Sequence, residues 1–256
     1  MSTPPLLVVE HEEQCPPGWI GEWLSDAGAA LDVARPYAGD LLPADLSGHS
    51  GLVVLGGDMG AYDDATHPWL TEVKRLVVSA AADGTPVLGI CLGHQLAAVA
   101  LGGEVRANPH GQQIGVLGVG WTDAARLDPL LGPLAALGTD PVDVPAVQWN
   151  TDVVTRLPDG AADLAHTRSD ELQAARFAPS VWGVQWHPEV GEEIIGSWAD
   201  HDRDDAVERG VDVDACVAEV AAARPRLRAT WRVLADGFAA LCREARPDTE
   251  RAAAAR

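Results

Sequence analysis

The chain has 256 residues, 47% of them apolar, and a formal net charge of −20. That length and apolar share suit one sizeable α/β domain with a buried core and argue against a disordered chain. The acidity disfavours nucleic acid and anionic membranes as partners, and no apolar run approaches the roughly 20 residues needed to span a bilayer. The N-terminus shows neither a basic n-region nor a cleavage site, so a cytoplasmic protein is expected. Its four cysteines (Cys15, Cys91, Cys216 and Cys242) are scattered, and its eight histidines show no ligand spacing. Neither disulfides, a metal nor an organic cofactor is expected from that pattern.

Leu6 to Glu10 reads as a first buried strand. Pro17 to Gly28 carries Trp19, Ile20, Trp23 and Leu24 at helical spacing and ends on glycine, which predicts the first helix. Leu31 to Arg35 and Gly51 to Leu55 follow as strands, the latter leading into Gly56-Gly57. Pro68 to Ala82 is a helix by its starting proline, its following Gly84 and its stripe of Trp69, Val73, Leu76, Val77 and Ala80. Pro86 to Ile90 is a buried strand that runs at once into a helix over Gly93 to Leu101. Strand and helix alternating at this spacing imply a parallel, doubly wound sheet.

From Glu104 to Val184 the texture changes to short alternating runs: Ile114 to Trp121, Val144 to Trp149, Leu172 to Phe177 and Val181 to Trp186. These are expected as antiparallel strands added to the main sheet. After Val190 the chain turns helical, and Leu227, Trp231, Leu234, Phe238 and Leu241 mark one face of a long last helix.

Two motifs carry chemistry. Gly89-Ile90-Cys91-Leu92-Gly93 places a cysteine between glycines where a buried strand meets a helix. This is the thiol form of a nucleophile elbow, and the helix dipole would favour the charged sulfur. Gly183-Val184-Gln185-Trp186-His187-Pro188-Glu189 ends another strand. A cysteine nucleophile needs a base beside it and a third group that orients the base, and His187 and Glu189 are those residue types.

Together with the Gly56-Gly57 loop and the run on to His94 and Gln95, these motifs resemble the class I (triad-type) glutamine amidotransferases over roughly Leu6 to Val190. Gly56-Gly57-x-Met59, Tyr62-Asp63-Asp64, Pro68-Trp69-Leu70 and the C-terminal helices are similar to the stand-alone GMP-synthase-like members, a group that includes γ-glutamyl peptidases. The resemblance implies a flavodoxin-like α/β fold, a doubly wound mixed sheet with added antiparallel strands and a C-terminal helical extension. It implies a domain over residues 1–190, an extension over 191–246 packed on it, and a tail over 247–256. Cys91 would attack the glutamine γ-carboxamide, His187 would act as base and acid, and Glu189 would orient it. The backbone N–H groups of Gly57 and Leu92 would form the oxyanion hole. Gly56, Gln95, Asn150, Thr151 and Asp152 would contact substrate, whereas His94 reads as a packing residue.

Three places depart from the family pattern: Asp58 and Gly60 in the glycine loop, Asn150 where relatives often carry histidine, and Gln112-Gln113 before Ile114. They leave substrate identity open. Glutamine hydrolysis supplying ammonia to a separate synthase subunit is the first expectation, since the 65 or so residues after Val190 are too few for a synthase domain. A partner-free γ-glutamyl peptidase or hydrolase is the second, and an idle regulatory scaffold the third. Oligomeric state and acceptor are not legible.

Overall fold

Residues 3–137, 144–208 and 210–245 are described by the computed structural model. Its elements begin with β1 (Leu6–Val9), α1 (Gly18–Asp26), β2 (Leu31–Ala34), β3 (Gly51–Val54), α2 (Trp69–Asp83), β4 (Val87–Ile90) and α3 (Leu92–Ala100). A strand-rich middle follows: β5 (Glu104–Ala107), β6 (Gln113–Trp121), α4 (Gly132–Ala135), β7 (Val144–Asn150), β8 (Asp152–Arg156), β9 (Ala162–His166), β10 (Leu172–Ala178) and β11 (Val181–Val184). The chain then turns helical through α5 (Glu192–His201), α6 (Arg203–Glu208) and α7 (Val213–Glu244). The tail expected over 247–256 lies outside the described residues.

One sheet organises the molecule, with strand order β2-β1-β3-β4-β11-β10-β9-β6-β7. Strands β2, β1, β3, β4 and β11 run parallel, while β10, β9, β6 and β7 are added antiparallel. This corrects the expectation for Val181 to Trp186, which is not one of the antiparallel additions. Here β11 pairs parallel with β4, Val181 beside Val87 and Val184 beside Ile90, and is antiparallel only to β10. Every residue of β11 is buried, as a parallel strand covered on both faces must be.

Alternation along the strands builds two cores. Leu6, Val8, Val53, Leu55, Leu88 and Ile90 face one side, against α1 and α7. Leu7, Val9, Leu52, Val54 and Val87 face the other, against α2 and α3. The first core reaches the last helix: Leu227, Trp231, Leu234 and Phe238 are fully buried, and Trp231 stacks 4.8 Å from Trp186, which in turn meets Trp121 edge-on at 5.9 Å. Helix α7 is 32 residues long, is capped by Asp212 accepting from the Ala215 N–H, and carries Pro225 inside it. Its arginines grip the neighbouring helices. Arg224 pairs with Glu192, Arg232 with Asp26, and Arg228 with Glu22 while lying over the Trp19 and Trp23 rings. Such exposed pairs are individually weak, so the buried aromatic face dominates the attachment. No helix among the described residues is long and apolar enough to cross a membrane.

Because Trp231 sits in this packed core, Trp231→Ala should lower unfolding stability in urea by about 3–5 kcal/mol. A loss below about 1 kcal/mol would mean that α7 is an appendage rather than a wall of the core.

Candidate active site

The C-terminal ends of the parallel strands converge on one cleft, the usual ligand position for an open α/β sheet. At its floor Cys91 links β4 to α3 with φ +50, a left-handed conformation that a non-glycine residue adopts at a cost of about 1–3 kcal/mol. The flanking glycines show why the turn closes. A Cβ on Gly89 would fall 2.4 Å from the Gly93 carbonyl oxygen, and one on Gly93 would fall 2.0 Å from the Val54 carbonyl oxygen. The Cys91 N–H donates to Val184 O at 2.9 Å, which ties the turn to β11.

His187 follows β11 and is 3% exposed. Its Nδ1 donates to Glu189 Oε1 at 2.7 Å, and Trp198 of α5 covers the ring edge-on at 4.6 Å. Nε2 is buried and makes no hydrogen bond. Burial alone would depress the imidazole's basicity. The nearby Cys91 charge and the Glu189 carboxylate outweigh that and raise its pKa from 6.5 to about 10. Glu189 is fixed through its backbone, since its carbonyl accepts from the Trp19 N–H at 2.9 Å. That approach requires Gly18, where a Cβ would sit 2.2 Å from the same oxygen.

Gly56 and Gly57 continue from β3 alongside. A Cβ on Gly56 would lie 3.1 Å from His187 Cε1 and 3.6 Å from Cys91 Cβ, so this glycine lets nucleophile and histidine share one wall. Gly57 packs over His11, and Asp58 N donates to Glu12 Oε1 at 3.1 Å to hold the loop. Leu92 is the first residue of α3, so its N–H has no acceptor within the helix. Gln95 lines the cleft, but its Nε2 is committed to Asp152 O at 3.0 Å and Gln185 Oε1 at 3.2 Å. Asn150, Thr151 and Asp152 line the cleft beside it. His94 lies away from the cleft, fully buried 5.0 Å from the Phe177 ring, and burial lowers its pKa to about 3.

Several residues enter that sequence reasoning did not single out. Gln185 Nε2 donates to Cys91 Sγ at 3.5 Å. Glu12, Gln14, Cys15, Trp149, Trp198 and Asp202 line the cleft, whose volume is about 280 Å³. Cys15 is no second nucleophile: burial, then the Glu12 carboxylate, push its thiol pKa far above the ordinary value. Gln185 lies inside the quoted histidine motif, so strand-end position was a usable signal for it. Trp149 precedes Asn150 on β7, whereas Glu12, Gln14, Cys15, Trp198 and Asp202 come from loops and helices distant in sequence and carry no local pattern.

Comparison with known proteins identifies the family and the fold. The family model for class-I glutamine amidotransferases matches residues 23–197. A glutamine-hydrolyzing GMP synthase of Aeropyrum pernix is 32% identical over 203 residues, covering 77% of this chain but only 36% of that protein. One subunit of the glutamine-hydrolyzing GMP synthase of Natronomonas pharaonis is 33% identical over 59% of this chain and 88% of its own. A γ-glutamyl-L-1-hydroxyisopropylamide hydrolase of a Pseudomonas species is 31% identical, over 62% of this chain and 54% of its own. A solved glutamine amidotransferase from Thermotoga maritima shares the fold with TM-score 0.80 at 24% identity, covering 93% of this chain and 99% of that one.

Since Cys91 and Glu189 together hold the proton on His187, its ring should titrate near 10 by NMR, and both Cys91→Ala and Glu189→Gln should lower that midpoint. An unchanged midpoint in Cys91→Ala would show that the two side chains do not interact.

Proposed function

The chain belongs to the class-I glutamine amidotransferase family, and from that premise we propose that it hydrolyses a γ-glutamyl amide, glutamine in the simplest case, through a thioester on Cys91. One observation carries the reading: buried His187 is bonded through Nδ1 to Glu189 at 2.7 Å and shares one wall of the cleft with Cys91. A histidine so placed can take the Cys91 proton, giving a thiolate–imidazolium pair in which the sulfur attacks the carbonyl.

In this mechanism Cys91 Sγ bonds to the γ-carbonyl carbon. The oxygen's developing charge is met by the N–H groups of Gly57 and Leu92, a type of contact worth about 3 kcal/mol per donor. As sulfur gives up its charge to the new bond, the influence that raised the His187 pKa disappears. The imidazolium becomes a stronger acid at that moment and protonates the departing nitrogen as the carbon–nitrogen bond breaks. Neutral His187 then takes a proton from water, which attacks the thioester and releases glutamate and the free thiol. Glu189 keeps Nδ1 protonated throughout, so Nε2 alone exchanges protons. Gln95, Asn150, Thr151 and Asp152 would contact the substrate from the cleft walls, with Gly56 behind them against Cys91 and His187.

If ammonia is the useful product, a separate acceptor protein would receive it, in keeping with the Natronomonas relative, whose name makes it one subunit of a synthase. A second reading, hydrolysis of larger γ-glutamyl amides with no acceptor, is favoured by the cleft's extension to Trp149, Trp198 and Asp202 and by the Pseudomonas relative.

Glutamate release from glutamine and from γ-glutamyl dipeptides tests the reading. Cys91→Ala should reduce it by at least about a thousandfold, with Glu189→Gln retaining more activity than Cys91→Ala. Undiminished release in Cys91→Ala would overturn the proposal.

A further inference from the structure

The cleft is lined by acidic side chains. Glu12, Asp58, Asp152 and Asp202 all line it, and among the described residues no lysine or arginine does. These four carboxylates come from the loop after β1, the loop after β3, the start of β8 and the residue after α5. None forms a salt bridge among the described residues. Nor do they converge as a metal site would, since no cluster of three or more His, Cys, Asp or Glu suited to an ion occurs among the described residues. The Asp152 pKa is raised by burial and then by Asp63, as expected of a carboxylate that lacks a cationic neighbour.

A buried acceptor independently points to a donor ligand. Asn150 is 6% exposed, and its Oδ1 is buried without a partner. Its orientation is settled, because Nδ2 donates to Gln113 Oε1 at 3.2 Å and to Asp152 O at 3.1 Å. That leaves an acceptor on the cleft wall beside Asp152. The lining next to it is aromatic. Trp149 and Trp198 stand 6.0 Å apart at 52°, with Trp149 Nε1 donating to Asp202 Oδ2 at 2.7 Å. Indole faces beside carboxylates are the chemistry that recognises an ammonium group.

We infer that the substrate is a γ-glutamyl monoamide of a diamine or polyamine, whose leaving group carries a positive charge into the wall formed by Trp149, Trp198, Asp202, Glu12 and Asn150. The inference rests on the γ-glutamyl hydrolase reading above and names its substrate class. A γ-glutamyl head group brings one ammonium and one carboxylate, so glutamine adds no net charge to a wall with four carboxylates. A second ammonium supplies the missing complement. The reaction balances as for any amide. The Cys91 sulfur–carbon bond forms, the carbon–nitrogen bond breaks, His187 protonates the amine, and water then yields glutamate and the free diamine.

The test compares kcat/KM for γ-glutamyl-1,4-diaminobutane, its near-isostere γ-glutamyl-n-pentylamide, and glutamine. The cationic amide should be preferred over the neutral one by about tenfold or more, and rising salt should narrow that ratio. Glu12→Gln and Asp202→Asn should narrow it as well, and because a ratio is read, partial loss of folded protein does not disguise the result. Equal rates on the cationic and neutral amides, or a preference for glutamine over both, would overturn the inference and leave the hydrolase reading standing. Failure to cleave any of the three would overturn both.

Discussion

The backbone of Cys91 is held at φ +50 between β4 and α3, and the geometry of the cleft depends on that turn. An alanine-like residue would leave this conformation at once if its surroundings allowed it. They do not: the bare faces of Gly89 and Gly93 let α3 press onto the ends of β3 and β4, and the Cys91 N–H is spent on β11. The strain is therefore borne by the packing of the parallel sheet. Its consequence is chemical, because the sulfur is turned out of the strand into the floor of the cleft, where the glycine loop after β3 and the histidine after β11 flank it. The strand order places β4 between those two neighbours, so topology alone brings together three residues from widely separated parts of the chain.

The second arm of the site is held by the helices that follow it. His187 is covered by Trp198 of α5, and the adjacent Trp186 is locked between Trp121 and Trp231 of α7. The residues at consecutive positions thus serve opposite sides: one side chain faces the cleft, the next anchors the last helix to the core. Helix α7 is in that sense structural support for the histidine, and the arginine contacts to α1 steady the Gly18-Trp19 turn that fixes Glu189. Of the expected stripe, Leu227, Trp231, Leu234 and Phe238 are buried within the molecule and Leu241 is partly buried.

Much of this was legible in the sequence where local pattern and tertiary role coincide. Strands β1, β3 and β4 each show a clean apolar run, and helices α1 to α3 a helical stripe with a glycine stop. Strands β5, β8 and β9 escaped notice because they are four or five residues long and mix charge with small apolar residues, as in Glu-Val-Arg-Ala. The direction of β11 could not be read from alternation, since a run of buried residues is compatible with either neighbour. Cys91, His187 and Glu189 stood out because their spacing has a mechanical reason. The acidic and aromatic wall did not, because Glu12, Trp149 and Asp202 meet only through folding, and an isolated carboxylate looks like ordinary surface. The Asp58 departure in the glycine loop was the one local hint of that charge.

The most direct test of the account is to acid-quench the enzyme during turnover of a γ-glutamyl amide and locate the acyl group by mass spectrometry of its peptides. A γ-glutamyl adduct on Cys91, absent from Cys15, is the predicted result. Glutamate accumulating with no acyl group on Cys91, or with the acyl group on Cys15, would contradict it.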